Sequence, residues 1–199
     1  MKHPNILIIS DEIYEGLLYE GEQSVSLGVV EPRLMPRLLT ANGLSKKYAM
    51  TGYRIGYLGA PLWWVKAIKT LKSHTTSGIS SVSQHMAFSA LMEEHKQLPE
   101  WLDRLDKNRK HLMSRMNVLD MPFVEPKGAF YLLLDVSRLG INGTKFAKLL
   151  LENEYVAVTT GDAFGMPNHV RISFAPEWTK FEEAVKRIES FINSTRFSK

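Results

Sequence analysis

The chain has no cysteine. That excludes disulfides, thiolate-held metals and a cysteine nucleophile, and no metal site is expected. It also lacks a long apolar run. The opening MKHPNILIIS is too short in apolar residues for a signal peptide, and no window nears the roughly 20 residues of a membrane span. A soluble, cytoplasmic protein without a membrane partner is the expectation. Internal repeats and low-complexity tracts are missing, and the nine prolines and thirteen glycines are dispersed, so no segment reads as a flexible linker. A concentrated basic face is missing too. The net charge is +4, yet Lys and Arg alternate with acids, as in Asp103-Arg104-Leu105-Asp106-Lys107. A nucleic-acid partner is therefore not expected, although small anions would be mildly attracted.

What is present is an ordinary globular composition over 199 residues, 44% hydrophobic and 23% charged. Asn5-Ile6-Leu7-Ile8-Ile9-Ser10 contains a short apolar run that predicts a strand buried on both faces, as in a parallel sheet. Residues 37–41 predict a second strand ending at the Asn42-Gly43 turn dipeptide, and 53–59 a third. Residues 62–71 carry apolar groups at helical spacing (Leu62, Val65, Ile68, Leu71) with Lys66, Lys69 and Lys72 on the wet side. A polar loop over 74–81 precedes a helix over 82–94, and Pro99 opens a longer helix to about residue 117 with Trp101, Leu105, Leu112 and Met116 on its apolar side. Strands over 129–135, 156–159 and 169–174 then alternate with helices over 144–153 and 180–192. This alternation predicts a layered α/β or α+β fold with a domain boundary near residues 95–105.

One set of residues suggests chemistry. Asp11 ends the first strand, where open α/β sheets place ligands, and Tyr14 lies in the turn that follows. Ser45 and Lys46 follow the second strand and reach the same edge if the two strands are parallel, and Arg54 can fold back toward Lys46. A lysine that condenses with an aldehyde must lose its proton, which burial and a nearby cation favour. Arg54 has the fork that suits a phosphate, Asp11 can hold a protonated pyridine nitrogen, and Tyr14 can bond a phenolic oxygen. Together they describe a pocket for pyridoxal phosphate. Each residue also has a plainer role: a turn or cap for Asp11, a half-buried ring for Tyr14, solvated charges for Lys46 and Lys47, an ion pair for Arg54.

The motifs resemble those of the class I/II pyridoxal-phosphate aminotransferases, the fold-type I group. Ser45-Lys46 followed by Thr51-Gly52-Tyr53-Arg54-Ile55-Gly56-Tyr57 is similar to that family's lysine motif, and Asp11-Glu12-Ile13-Tyr14 to its Asp-x-x-Tyr turn. Residues 126–131 resemble its small-domain strand; 161–165 and 170–175 resemble its carboxylate-binding segment. The resemblance implies a Schiff base at Lys46, which also moves the substrate proton, with Asp11 on the ring nitrogen, Tyr14 on the ring oxygen, and Ser45 and Arg54 on the phosphate. Arg171 is implied as the partner of the substrate α-carboxylate. Amino acids and 2-oxo acids would be the substrates and a homodimer the assembly. The fold implied is the C-terminal part of the large domain, a mixed sheet with helices, over 1–98, and an α+β small domain over 99–199.

Gly43 stands where the family often has a further hydroxyl, and Lys47, expected to face solvent, where a small or hydroxyl residue is usual. The resemblance reaches only the C-terminal half of such an enzyme, so a hydrophobic sheet edge should be exposed. Carbon–sulfur β-lyases and aminocyclopropane-carboxylate synthases share the same lysine chemistry, and a non-catalytic half that binds a partner chain is the rival from outside catalysis.

Overall fold

The computed structural model describes residues 2–93 and 97–197. The chain is α/β and divides into two compact units, Met1–Leu98 and Pro99–Lys199. Among the described residues no helix is long and apolar enough to cross a membrane, and no cluster of three or more His, Asp or Glu could hold a metal.

The first unit is built on strands β1 (Ile8–Asp11), β2 (Leu38–Gly43) and β3 (Gly56–Gly59), in that order. β1 and β2 run parallel with Asp11 opposite Ala41; β3 returns antiparallel with Tyr57 opposite Asn42. The β1–β2 crossover holds the short helix α1 (Leu27–Val30) and a 3-10 turn, Pro32–Arg37. The third strand begins later than the sequence suggests, because Thr51–Tyr53 form a 3-10 turn and Arg54 adopts φ 51°, which extended backbone cannot include. Helices α2 (Leu62–Ser73) and α3 (Ser81–Met92) follow. Leu44, Ala87 and Ala90 form a small buried cluster flanked by Tyr48, Met50 and Ile55.

Two expectations of burial fail in this unit. β1 is not covered on both faces: Ile9 is exposed at 67%, as are Ile6 and Leu7 just before the strand. α2 contains no buried residue, and Leu62 and Leu71, its apolar stripe, are exposed. The apolar patterns are those of covered elements, but nothing among the described residues covers them.

The second unit packs helices on one face of an antiparallel sheet ordered β4 (Phe123–Val124), β5 (Tyr131–Asp135), β7 (His169–Ser173), β6 (Thr159–Thr160). The period-two alternation is clear: Leu132, Leu134, Val170 and Ile172 are buried, while Tyr131, Leu133, His169 and Arg171 are only partly covered. Helices α4 (Gln97–Val118), α5 (Gly143–Glu154) and α6 (Trp178–Phe197) supply Leu105, Leu112, Met116, Phe146, Leu150, Phe181, Ile188 and Ile192 to the core. Phe146 and Phe191 meet edge to face at 5.2 Å. Asn142 caps α5, its side-chain oxygen accepting from the Lys145 amide at 2.9 Å. The strand expected over 156–159 is shorter and later, since only Thr159 and Thr160 pair, with Arg171 and Val170.

Candidate active site

In the first unit, the parallel pairing of β1 and β2 brings their carboxyl ends to one edge. Asp11 is the last residue of β1 and is exposed; one of its carboxylate oxygens accepts the Ile13 amide at 3.2 Å and starts a turn over 13–16. Glu12, which follows, is committed elsewhere, accepting the hydroxyls of Ser10 and Ser26 at 3.0 and 2.9 Å. The 13–16 turn is closed by backbone bonds from the Glu15 amide to the Glu12 carbonyl and from Leu17 to Tyr14. A second turn, over 45–48, follows β2, with the Tyr48 amide donating to the Leu44 carbonyl at 3.2 Å.

These turns bring Tyr14 and Lys46 together: the lysine Nζ lies 5.9 Å from the centroid of the Tyr14 ring. Ser45 precedes Lys46 in the same turn and is half-buried. Arg54 is exposed and donates one bond, from Nη1 to the Thr51 carbonyl at 2.9 Å. Its other donors make no bond among the described residues. It lines a cleft with Lys72, Thr76, Ser80 and Ser83. Burial pushes the hydroxyl of nearby Tyr57 above its ordinary pKa, with the charge of Glu15 and Tyr48 adding to it.

Lys47 departs from the sequence expectation. It is half-buried, and its stem lies against Gly16 rather than in solvent. Gly43 is closely surrounded: a Cβ there would stand 3.1 Å from Ile13 Cδ1 and 3.2 Å from the Ile55 carbonyl, so a hydroxyl residue would need its neighbours to yield.

In the second unit, Arg171 is held by rings rather than by an acid. Its guanidinium carbon lies 4.3 Å from the Tyr131 centroid and 4.9 Å from that of Phe164, and Nη2 reaches Thr159 Oγ1 at 3.5 Å. Among the described residues no carboxylate pairs with it. Tyr131 and Phe164 are motif members in the sequence, but neither is legible there as a support for Arg171; Thr159 gives no signal.

The residues of the first unit fit the cofactor that the resemblance implies. A carboxylate, a phenol, an amine, a hydroxyl and a guanidinium with spare donors are the complementary groups for a protonated ring nitrogen, a ring oxygen, an aldehyde and a phosphate.

Comparison with known proteins agrees. The family model for aminotransferase class I and II matches residues 1–188. An aspartate aminotransferase of Thermotoga maritima is 39% identical over 194 residues, covering 97% of this chain and 49% of that protein. An aromatic-amino-acid aminotransferase of Thermococcus litoralis is 34% identical, covering 96% and 50%. Among solved structures, an aromatic aminotransferase from Pyrococcus horikoshii superposes with a TM-score of 0.90 at 34% identity, covering 96% of this chain and 52% of that one. The chain thus spans about half the length of the curated relatives it matches. It belongs to the class I and II aminotransferases, a family whose cofactor is pyridoxal phosphate.

Proposed function

We propose that the chain is the lysine-bearing and small-domain half of an aminotransferase that moves an amino group between an amino acid and a 2-oxo acid. The observation that carries this reading is the placement of Lys46 beside Tyr14, at the edge where Asp11 ends its strand. When bound, pyridoxal phosphate supplies an aldehyde to carry the amino group and a ring that stabilises negative charge at the substrate α-carbon.

The protein's own residues do the rest. Lys46 would supply the amine that holds the cofactor and, once released, would accept the substrate's α-proton on Nζ. Asp11 keeps a proton on the ring nitrogen, and Tyr14 donates its phenol hydrogen to the ring oxygen. Ser45 and Arg54 bind the phosphate, for which the uncommitted donors of Arg54 are suited. Arg171 takes the substrate α-carboxylate in its fork, whose plane the Tyr131 and Phe164 rings orient.

The relatives' names include aspartate and aromatic amino acids, so the donor belongs to the broad class of α-amino acids. The homodimer, the cytoplasmic location and the division into a large-domain part (1–98) and a small domain (99–199) belong to the same proposal. With relatives twice its length, this chain alone should bind the cofactor weakly and turn over little. An absorbance titration with pyridoxal phosphate tests the reading: a band formed by the wild type should be absent in Lys46→Ala. An identical band in the variant would remove Lys46 from its role. In the complete enzyme, a keto acid with glutamate is expected from an amino acid and 2-oxoglutarate; ammonia with pyruvate would instead support lyase chemistry.

A further inference from the structure

We propose that Lys47 is a positioning residue: its stem is a strut between the turn carrying Tyr14 and the turn carrying Ser45 and Lys46, and position 16 is glycine so that the strut can pass. The relevance to cofactor binding rests on the function proposed above; the strut itself does not.

The two turns leave neighbouring parallel strands whose pairing stops at Asp11 and Ala41. One further backbone bond joins the segments, from the Glu12 amide to the Ala41 carbonyl at 2.8 Å. Beyond it, side chains contribute to holding the turns. A Cβ built on Gly16 would lie 2.4, 2.7 and 2.8 Å from Cδ, Cγ and Cε of Lys47. Successive methylenes of the lysine therefore lie along the Gly16 Cα, not merely end-on against it. The head group is placed as well, with Nζ 5.6 Å from the Tyr48 ring centroid. A stem packed along backbone with a polar head beyond it is the usual way a lysine covers apolar surface.

The reason for a glycine at 16 follows by comparison with Gly21. Gly21 has φ 77° and open space around it, so its conformation explains it. Gly16 is not among the glycines of positive φ. Its φ lies outside the left-handed region, and the three atoms nearest an added Cβ all belong to the crossing stem. Adjacent lysines thus reach the same turn at two points, Lys46 at Tyr14 and Lys47 at Gly16. Tyr14 and Lys46 are 32 residues apart in sequence, and their spacing is fixed by what ties these turns together.

The test uses Lys47→Ala, Lys47→Met, Gly16→Ala and the double variant Gly16→Ala with Lys47→Ala. The first readout is amide hydrogen exchange at Glu15 and Leu17, whose bonds close the 13–16 turn, in the chain without cofactor. Lys47→Ala should speed exchange about tenfold, while Lys47→Met, which keeps the stem, stays within about twofold of wild type. Gly16→Ala, by displacing the stem, should match Lys47→Ala, and the double variant should add nothing further. The second readout is the dissociation constant for pyridoxal phosphate, expected to weaken about tenfold in Lys47→Ala and to recover in Lys47→Met. Unchanged exchange in Lys47→Ala would overturn the strut, as would Lys47→Met behaving like Lys47→Ala. If the exchange pattern holds while the wild type binds no cofactor, the strut stands and the functional reading fails.

Discussion

The guanidinium of Arg171 lies 4.3 Å from the Tyr131 ring although the two residues are not register partners. Arg171 pairs with Leu133 and Tyr131 with Ser173, so the ring is the diagonal neighbour on the same face of the sheet. With Phe164 on it as well, the fork is oriented before any ligand arrives. Arg171→Lys keeps the charge but loses the planar fork, and KM for the amino acid should rise about ten- to a hundredfold with a smaller change in kcat. Phe164→Leu should give a milder rise, about two- to fivefold. Initial rates of the complete enzyme across donor concentrations check both, and an unchanged KM in Arg171→Lys would contradict the assignment.

Gly56 faces the Asn42 carbonyl so closely that a Cβ would stand 2.8 Å from its oxygen. That oxygen belongs to β2 and cannot retreat without disturbing the Asn42–Tyr57 pairing. Gly56→Ala should therefore cost about 1–3 kcal/mol and loosen β3. Gly52→Ala, where nothing lies within 4 Å of the added carbon, is the control and should change little. Thermal unfolding of both variants checks the contrast.

The candidate residues were legible where chemistry and local order coincide. Lys46 follows Ser45 at the end of a strand, and Asp11 with Tyr14 occupies the turn after another, so an amine, a carboxylate and a phenol at one sheet edge follow once the strands are parallel. Burial was less legible. Ile6, Leu7 and Ile9 read as an interior strand because hydropathy records which residues would be covered, not whether this chain covers them. Lys47 on Gly16 was not legible at all. It is a contact across 31 residues, and a lysine beside a lysine reads as a solvated pair. Arg171 was visible in its motif, but its rings were not, since diagonal pairing requires the register.

The exposed apolar side chains of the first unit have a consequence in solution. Leu62, Trp63 and Leu71 of α2 are exposed, as are Phe88, Leu91 and Met92 of α3 and Ile9 of β1. Exposed apolar surface of this kind drives association. The isolated chain should self-associate at micromolar concentrations, and Trp63→Glu with Leu71→Glu should shift it toward monomer with little loss of helix. Light scattering coupled to size exclusion measures the mass. A monodisperse monomer for the unaltered chain would contradict the expectation.

The second unit should be sensitive to acid through Asp106. Arg109 is fully buried in α4, donating from Nε to Asp106 at 2.8 Å and from Nη1 to the Pro126 carbonyl at 3.1 Å. Lys110 reaches the other Asp106 oxygen at 2.6 Å. Partial burial alone would raise the Asp106 pKa, but the bonds from Lys110 and Arg109 and their charges outweigh it and hold it below the usual carboxylate value. A folded pKa below the unfolded one means that the contribution to stability is complete above about pH 4 and is lost as pH falls through the folded value. Asp106→Asn removes the charged acceptor of the buried Arg109 Nε, though Asp106 keeps a quarter of its side chain in solvent. The cost at pH 7 should therefore be about 1–2 kcal/mol rather than that of a fully buried pair. Denaturant unfolding followed at Trp101 and Trp178 should show wild type and variant well separated at pH 7 and drawing together as pH falls below about 4. A separation that persists unchanged in acid would show that Asp106 acts through packing and not through its charge.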